Sequence, residues 1–262
     1  SEKRPATVFT KHNCFSFSTS GLTLYRFRHH CDAIILVCNA LQSLITKGML
    51  SKKTVCVVEN GVDVNFFRPY PMERKLELRR EMGIPANQLV FASCAGTGSH
   101  KGWQDLAKTV SDNPSITVIL IGPRPKDDYL LEVFDADCPG NIIFTGYQQD
   151  VRPYLAVANV GFVLSTSIET ASFACREMMS MGLPVLVSDL GCLPENVSGG
   201  SGWVVKAGSR AAIDEIIPVI QEADLGKMSL AARNRVVKTY QVQDFRSRTI
   251  AVYEEVINGA TF

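Results

Sequence analysis

The chain has 262 residues, 46% of them hydrophobic, and a formal net charge of +1, enough for one large or two modest domains with a real core. The balanced charge leaves no general nucleic-acid footprint. No apolar run approaches the roughly 18 residues of a membrane-spanning helix, and no signal peptide is evident.

Eight cysteines, at 14, 31, 38, 56, 94, 138, 175 and 192, form no Cys-x-x-Cys pair and no cluster with histidine. They are expected as reduced, buried thiols of a cytosolic protein rather than disulfides or zinc ligands.

In chain order, residues 6–10 suit a strand, with Lys11-His12-Asn13 at its end. Residues 31–37 suit a second strand, 39–47 a helix opened by an Asn39 cap, and 54–58 a third strand. That is the close of a βαβ series. Three strands are too few to cover both faces of a parallel sheet, so part of this domain is expected to be absent. Asn60-Gly61 offers a tight turn and Pro69 stiffens the exit. Residues 72–82 form a charged helix ended by Gly83 and Pro85, whose Glu73, Arg74, Lys75, Glu77, Arg79, Arg80 and Glu81 read as a solvated face.

A strand at 89–94 feeds Ala95-Gly96-Thr97-Gly98-Ser99-His100-Lys101-Gly102-Trp103. A glycine-containing turn before a helix presents N–H groups to a phosphate, with Lys101 as counter-charge. Its spacing is neither that of a Walker loop nor that of a dinucleotide fingerprint. A strand at 116–122 leads to Arg124, either a solvated loop charge or a second phosphate cation. Another at 141–145 leads to Tyr147, which either stacks on a ligand or covers the domain edge, and a helix then runs to Ala158.

Residues 160–164 are a short apolar run, read as a buried strand ending near Ser165. Residues 171–181 are good helix formers, and Gly182 then Pro184 stop them. Strand, loop, helix and strand create a crevice at the carboxyl edge of a sheet, where ligands of open α/β sheets sit. Unpaired N–H groups at the helix start suit phosphate. Glu169 lies in that loop and Glu177 about two turns down the helix. Each carboxylate can accept hydrogen bonds from sugar hydroxyls, one pair on a transferred sugar and one on a ribose. The alternative is that Glu169 caps the helix and Glu177 is solvated. Residues 210–221, 226–240 and 244–258 read as helices, the last with an apolar side of Phe245, Ile250, Val252 and Tyr253.

Ser167-Ile168-Glu169, followed by Glu177-Met178-Met179-Ser180-Met181-Gly182-Leu183-Pro184-Val185, resembles the donor-site signature of retaining glycosyltransferases with the GT-B fold. There it reads roughly Ser-x-x-Glu-Gly-Phe-Gly and then Glu-Ala-Met-Ala-x-Gly-Leu-Pro-Val. Thr170-Ala171-Ser172 replaces Gly-Phe-Gly. Lys101-Gly102 resembles the end of the family's Gly-Arg-x-x-x-Lys-Gly element, with Thr97 at the arginine. Gly191-Cys192-Leu193-Pro194-Glu195 is similar to its Gly-Gly-x-Pro-Glu. Asn60-Gly61-Val62-Asp63 with Phe67-Arg68-Pro69 is similar to its exit from the N-terminal domain.

The resemblance implies an α/β chain of GT-B type. Residues 1–66 would be the tail of an acceptor-side α/β domain, 67–240 a Rossmann-like nucleotide-sugar domain, and 241–262 a helix returning to the first. It implies a glycosyltransferase moving a sugar, with retention, from a nucleotide-diphosphate-sugar to a hydroxyl of a saccharide or lipid-linked saccharide. Cell-surface polysaccharide or lipopolysaccharide synthesis is the implied setting, in the cytoplasm or at the inner face of the membrane. By the same resemblance Lys101 would neutralise the donor diphosphate, beside Gly96, Thr97, Thr170, Ala171 and Ser172. Glu169 would orient the sugar, Glu177 hold the ribose, His12 line the interdomain cleft, and Tyr147 lie against the base. No metal or further cofactor is implied. The alternatives are a donor-binding module without turnover, a nucleotide-sugar epimerase, and a synthase or phosphorylase of sugar phosphates.

Overall fold

A computed structural model of the chain describes residues 4–17, 20–45, 54–167 and 169–259. Among these, two parallel sheets form. The first pairs β1 (Val8–Lys11), β2 (Ala33–Leu36) and β3 (Thr54–Val57) in that order. Every residue of β2 is buried because both its faces are covered. Ile34 and Leu36 pack towards Leu41, Cys38 and Phe27, and Ala33 and Ile35 towards Phe245, Val252 and Val256. A helix unforeseen in the sequence, α1 (Gly21–His30), connects β1 to β2, with the Ser20 hydroxyl accepting from Thr23 N–H. Of the helix expected at 39–47, residues 46–47 lie outside the described residues; the described part is a short 3-10 segment, Asn39–Leu44, and Asn39 is not its cap.

The second sheet has the order β6-β5-β4-β7-β8-β9. Its strands are β4 (Leu89–Ser93), β5 (Ile116–Leu120), β6 (Ile142–Phe144), β7 (Val160–Val163), β8 (Val185–Ser188) and β9 (Gly202–Val205). The helices between and after them are α2 (Met72–Glu81, before β4), α3 (Trp103–Val110), α4 (Asp127–Phe134), α5 (Arg152–Ala156), α6 (Phe173–Ser180), α7 (Leu193–Asn196), α8 (Arg210–Glu222), α9 (Leu225–Thr239) and α10 (Val242–Asn258). Val90 and Ala92 of β4 belong to the core on one face, and Phe91 to that on the other. The chain grows outward from β4 to β6, then returns to place β7 on the other side of β4. This is the switch point of a doubly wound sheet, where the loops leaving two neighbouring strands diverge and open a crevice.

Helix α2 presents Glu73, Arg74, Glu77, Arg80 and Glu81 to solvent as expected, but Arg79 and Lys75 depart from that face. Arg79 is 2% exposed and donates to the carbonyls of Val157, Ala86 and Gln88 at 2.9–3.0 Å and to Asn159 Oδ1 at 2.6 Å. Lys75 donates to Ala158 O at 2.7 Å, and burial lowers its pKa to about 8.

The chain crosses between the sheets twice, and the crossings are paired. Val62 N–H donates to Tyr240 O at 2.8 Å and Val242 N–H to Val62 O at 3.1 Å. Gly61 is needed for this approach, since a Cβ would overlap Val242. It has no positive φ, so the tight turn expected at Asn60-Gly61 is replaced by a long-range close contact. After the second crossing α10 lies on the first sheet. It packs Phe245, Val252 and Val256 there, whereas Ile250 and Tyr253 are exposed, which corrects the apolar side read from the sequence. Arg248 anchors the helix to Glu59 at 2.8 Å and to the Val57 carbonyl.

The expectation of reduced thiols throughout is also corrected. Cys38, just past β2, is disulfide-bonded to Cys192, just before α7, with Cα atoms 6.3 Å apart. Glu195 strengthens the same seam, accepting from Ala40 N–H at 2.7 Å and from Asn39 N–H at 3.2 Å.

Candidate functional site

The loops leaving β4 and β7 lie side by side. The β4 loop turns through Gly98–Gly102 and is pinned against the end of β7, with Thr166 N–H donating to His100 O at 2.9 Å. Gly102 has φ 65°, and a Cβ there would overlap the Leu164 carbonyl, so glycine sets how closely the loops approach. Gly191, with φ 55°, does the same against the carbonyl of Glu169.

This packing brings Lys101 to Glu169, Nζ to Oε2 at 3.3 Å. The same oxygen accepts from Ser165 Oγ at 2.7 Å. Ser165 is fully buried, and its carbonyl accepts from Ser188 Oγ at 2.8 Å. Oε1 of Glu169 has no donor among the described residues. Glu169 does not cap α6. That role falls to Ser172, whose hydroxyl accepts from Cys175 N–H at 3.3 Å. Thr170 and Ala171 form the turn between them, and Ala171 packs on the Cys192 cluster.

Glu177 lies on α6, and it is not solvated. Burial raises its pKa, and Cys94, at the end of β4, donates its thiol to Oε2 at 3.8 Å. Burial, with Glu177 next, pushes the Cys94 thiol well above its usual range, so Cys94 stays protonated as a donor. Gly96, with φ 93°, has open space where a Cβ would lie.

Other predicted residues sit apart from this group. The Thr97 hydroxyl donates to Pro123 O at 2.7 Å, and its carbonyl accepts from Trp103 Nε1 at 3.0 Å. Arg124 pairs with Asp127 at 3.2 Å and lies over Phe144. Tyr147 is 87% exposed after the edge strand β6 and therefore does not cover the domain edge. His12 is exposed after β1, in a loop whose Cys14 and Phe17 pack with the cluster that holds Cys192 and Ala171.

From the sequence, the strand ends near Ser165 with no role given to its hydroxyl, and neither Cys94 nor Arg176 is singled out. A polar residue directly after a buried apolar strand was the available signal for Ser165 and Cys94. Among the described residues no His, Cys, Asp and Glu cluster is placed to hold a metal ion, and no helix is long and apolar enough to cross a membrane.

The family model described as glycosyl transferases group 1 matches residues 89–222. The chain is 24% identical over 246 residues to the sulfoquinovosyl transferase SQD2 of Arabidopsis thaliana, across 91% of this chain and 47% of that protein. It is 30% identical over 229 residues to the MMP alpha-(1->4)-mannosyltransferase of Mycolicibacterium hassiacum, across 82% and 51%. It is 24% identical over 219 residues to the lipopolysaccharide core biosynthesis mannosyltransferase LpsB of Rhizobium meliloti, across 77% and 61%. The chain thus spans about half the length of the first two relatives. Among solved structures, HepE of Anabaena in complex with UDP superposes with a TM-score of 0.81 at 19% identity, covering 95% of this chain and 72% of that one. A glycosyltransferase from Rickettsia africae gives 0.80 at 17%, covering 95% and 70%. The α/β architecture with parallel sheets is that of GT-B glycosyltransferases.

Proposed function

The chain belongs to the glycosyl transferases group 1 family, and on that premise we propose that it transfers a sugar, with retention, from a nucleotide-diphosphate-sugar to an acceptor hydroxyl. The observation that carries this reading is the Ser165–Glu169–Lys101 group at the switch-point crevice. It sets a carboxylate, fixed through one oxygen with the other open, beside a cation, the open oxygen suited to sugar hydroxyls and the cation to phosphate.

In this reading Lys101, with the backbone N–H groups opening α6 and the loop at Gly96 and Thr97, stabilises the charge that develops on the leaving diphosphate. Thr170, Ala171 and Ser172 lie along the phosphates. Glu169 orients the transferred sugar through Oε1. Glu177, held by Cys94, accepts from ribose hydroxyls, Tyr147 packs on the base, and His12 faces the sugar from the other lobe. No metal or further cofactor is part of this reading. UDP and UDP-glucose bound to HepE of Anabaena make a uridine nucleotide the first donor to try. The names of the relatives support a glycolipid or cell-surface polysaccharide acceptor, reached in the cytoplasm or at the inner membrane face.

The test incubates the chain with UDP-glucose and other nucleotide-sugars, with and without acceptor saccharides. Nucleoside diphosphate release that depends on acceptor, with an anomeric configuration matching the donor, supports the reading. Release without acceptor favours a hydrolase, and conversion of the donor alone into a different nucleotide-sugar without net release favours an epimerase. One observation favours a donor-binding module without turnover. Thr97 stands where the family carries arginine and is tied to Pro123, leaving Lys101 as the cation of this loop. Nucleotide binding without any release is that module's signature.

A further inference from the structure

Arg176 is 1% exposed in the middle of α6, next to Glu177. A buried guanidinium persists only where its donors are matched. Its Nε donates to Asn196 Oδ1 at 3.0 Å, its Nη1 donates to the Asn60 carbonyl, and its plane stacks 3.9 Å from the Tyr240 ring centre. Asn60 and Tyr240 each stand within two residues of the paired crossings at Val62 and Gln241. Asn196 is itself tied to Cys192 O at 3.1 Å, on the seam between the lobes. One side chain on the helix that carries Glu177 thus grips both chain crossings and the seam.

We propose that Arg176 is a positioning residue that couples the spacing of the lobes to the pitch of α6. It rests on the donor-site reading of that helix. When the crossings shift, Arg176 turns α6 and carries Glu177 and the Thr170–Ser172 turn with it. In the reverse direction, a nucleotide held by α6 stiffens the crossings, although it touches neither of them.

Hydrogen exchange resolved to single amides tests this on the full chain. With saturating UDP or GDP, exchange at the Val62 and Val242 amides slows by about tenfold in the wild type. In Arg176→Met, nucleotide still protects α6 but no longer protects those two amides. Without nucleotide, Arg176→Met speeds their exchange by about tenfold relative to the amides of β5. Tyr240→Leu removes the stacking partner without altering α6 and is expected to act the same way, which keeps the test available if Arg176→Met fails to fold. Crossing amides that respond to nucleotide equally in wild type and variants overturn the proposal, as do wild-type exchange rates in the variants without nucleotide. A wild-type chain that binds neither nucleotide counts against the donor-site reading, and the nucleotide-free comparison then decides the coupling separately.

Discussion

Ser165 holds Glu169 from the end of β7, its buried hydroxyl donating at 2.7 Å to the carboxylate oxygen that also receives Lys101. Hydrogen bonds to charged groups contribute about 1.5–3 kcal/mol. Ser165→Ala is therefore expected to lower turnover about tenfold or more by freeing the carboxylate to rotate. Nucleotide affinity should hardly change, because Glu169 acts on the sugar. Steady-state kinetics alongside nucleotide titration separate the two effects.

Lys101 behaves differently. Its charge serves the diphosphate, so Lys101→Met is expected to weaken nucleoside diphosphate binding by about tenfold or more. Titrations at low and high salt check the assignment. The wild type should lose affinity with salt more steeply than the variant, because only the wild type carries this screened contact.

The two loop glycines are expected to be matters of stability. Gly102→Ala and Gly191→Ala each force a left-handed backbone on a residue with a Cβ and push that Cβ into a carbonyl. A loss on the order of 2 kcal/mol or more follows. For a chain of this size that lowers Tm by about 4–8 °C, readable by thermal melting.

The Cys38–Cys192 link ties β2 to α7 across 154 residues of chain. Proteolytic mapping without reductant should recover the two cysteines in one linked fragment. Reduction should cost on the order of 2–5 kcal/mol and lower Tm, whereas Cys38→Ser, lacking the link, should be insensitive to reductant. Unlinked fragments from oxidised protein would contradict the bridge.

Lys75 makes stability depend on pH at the alkaline end. Its pKa is about 8 in the fold against an ordinary 10.5, so the unfolded chain binds more protons between those values. Stability therefore rises as pH climbs through that window. Lys75→Met should flatten the rise, as read by denaturant melts across the window.

What the sequence disclosed depended on range. Strands β4 to β8 and α6 were legible because each is a short apolar run or helix-forming stretch bounded by glycine, proline or polar residues. Helix α1 was not, since none of its residues is fully buried and only Leu24 and Phe27 pack on the first sheet's core. Arg79 and Arg176 look like surface charges locally. They are buried where carbonyls far along the chain, at Val157 and Asn60, accept from them. Gly61 reads as a turn residue, yet Val242 is what excludes a side chain there. Glu169 and Lys101 were legible as candidates, but their convergence was not. It depends on β7 being laid beside β4, which no local pattern encodes.

Calorimetric titration of the chain with UDP, GDP and their sugar conjugates, beside Glu177→Ala and Lys101→Ala, tests the donor site most directly. Saturable binding of one nucleotide, weakened about tenfold or more by each substitution, is expected. Absence of binding to any of them, or binding that both substitutions leave unchanged, would contradict it.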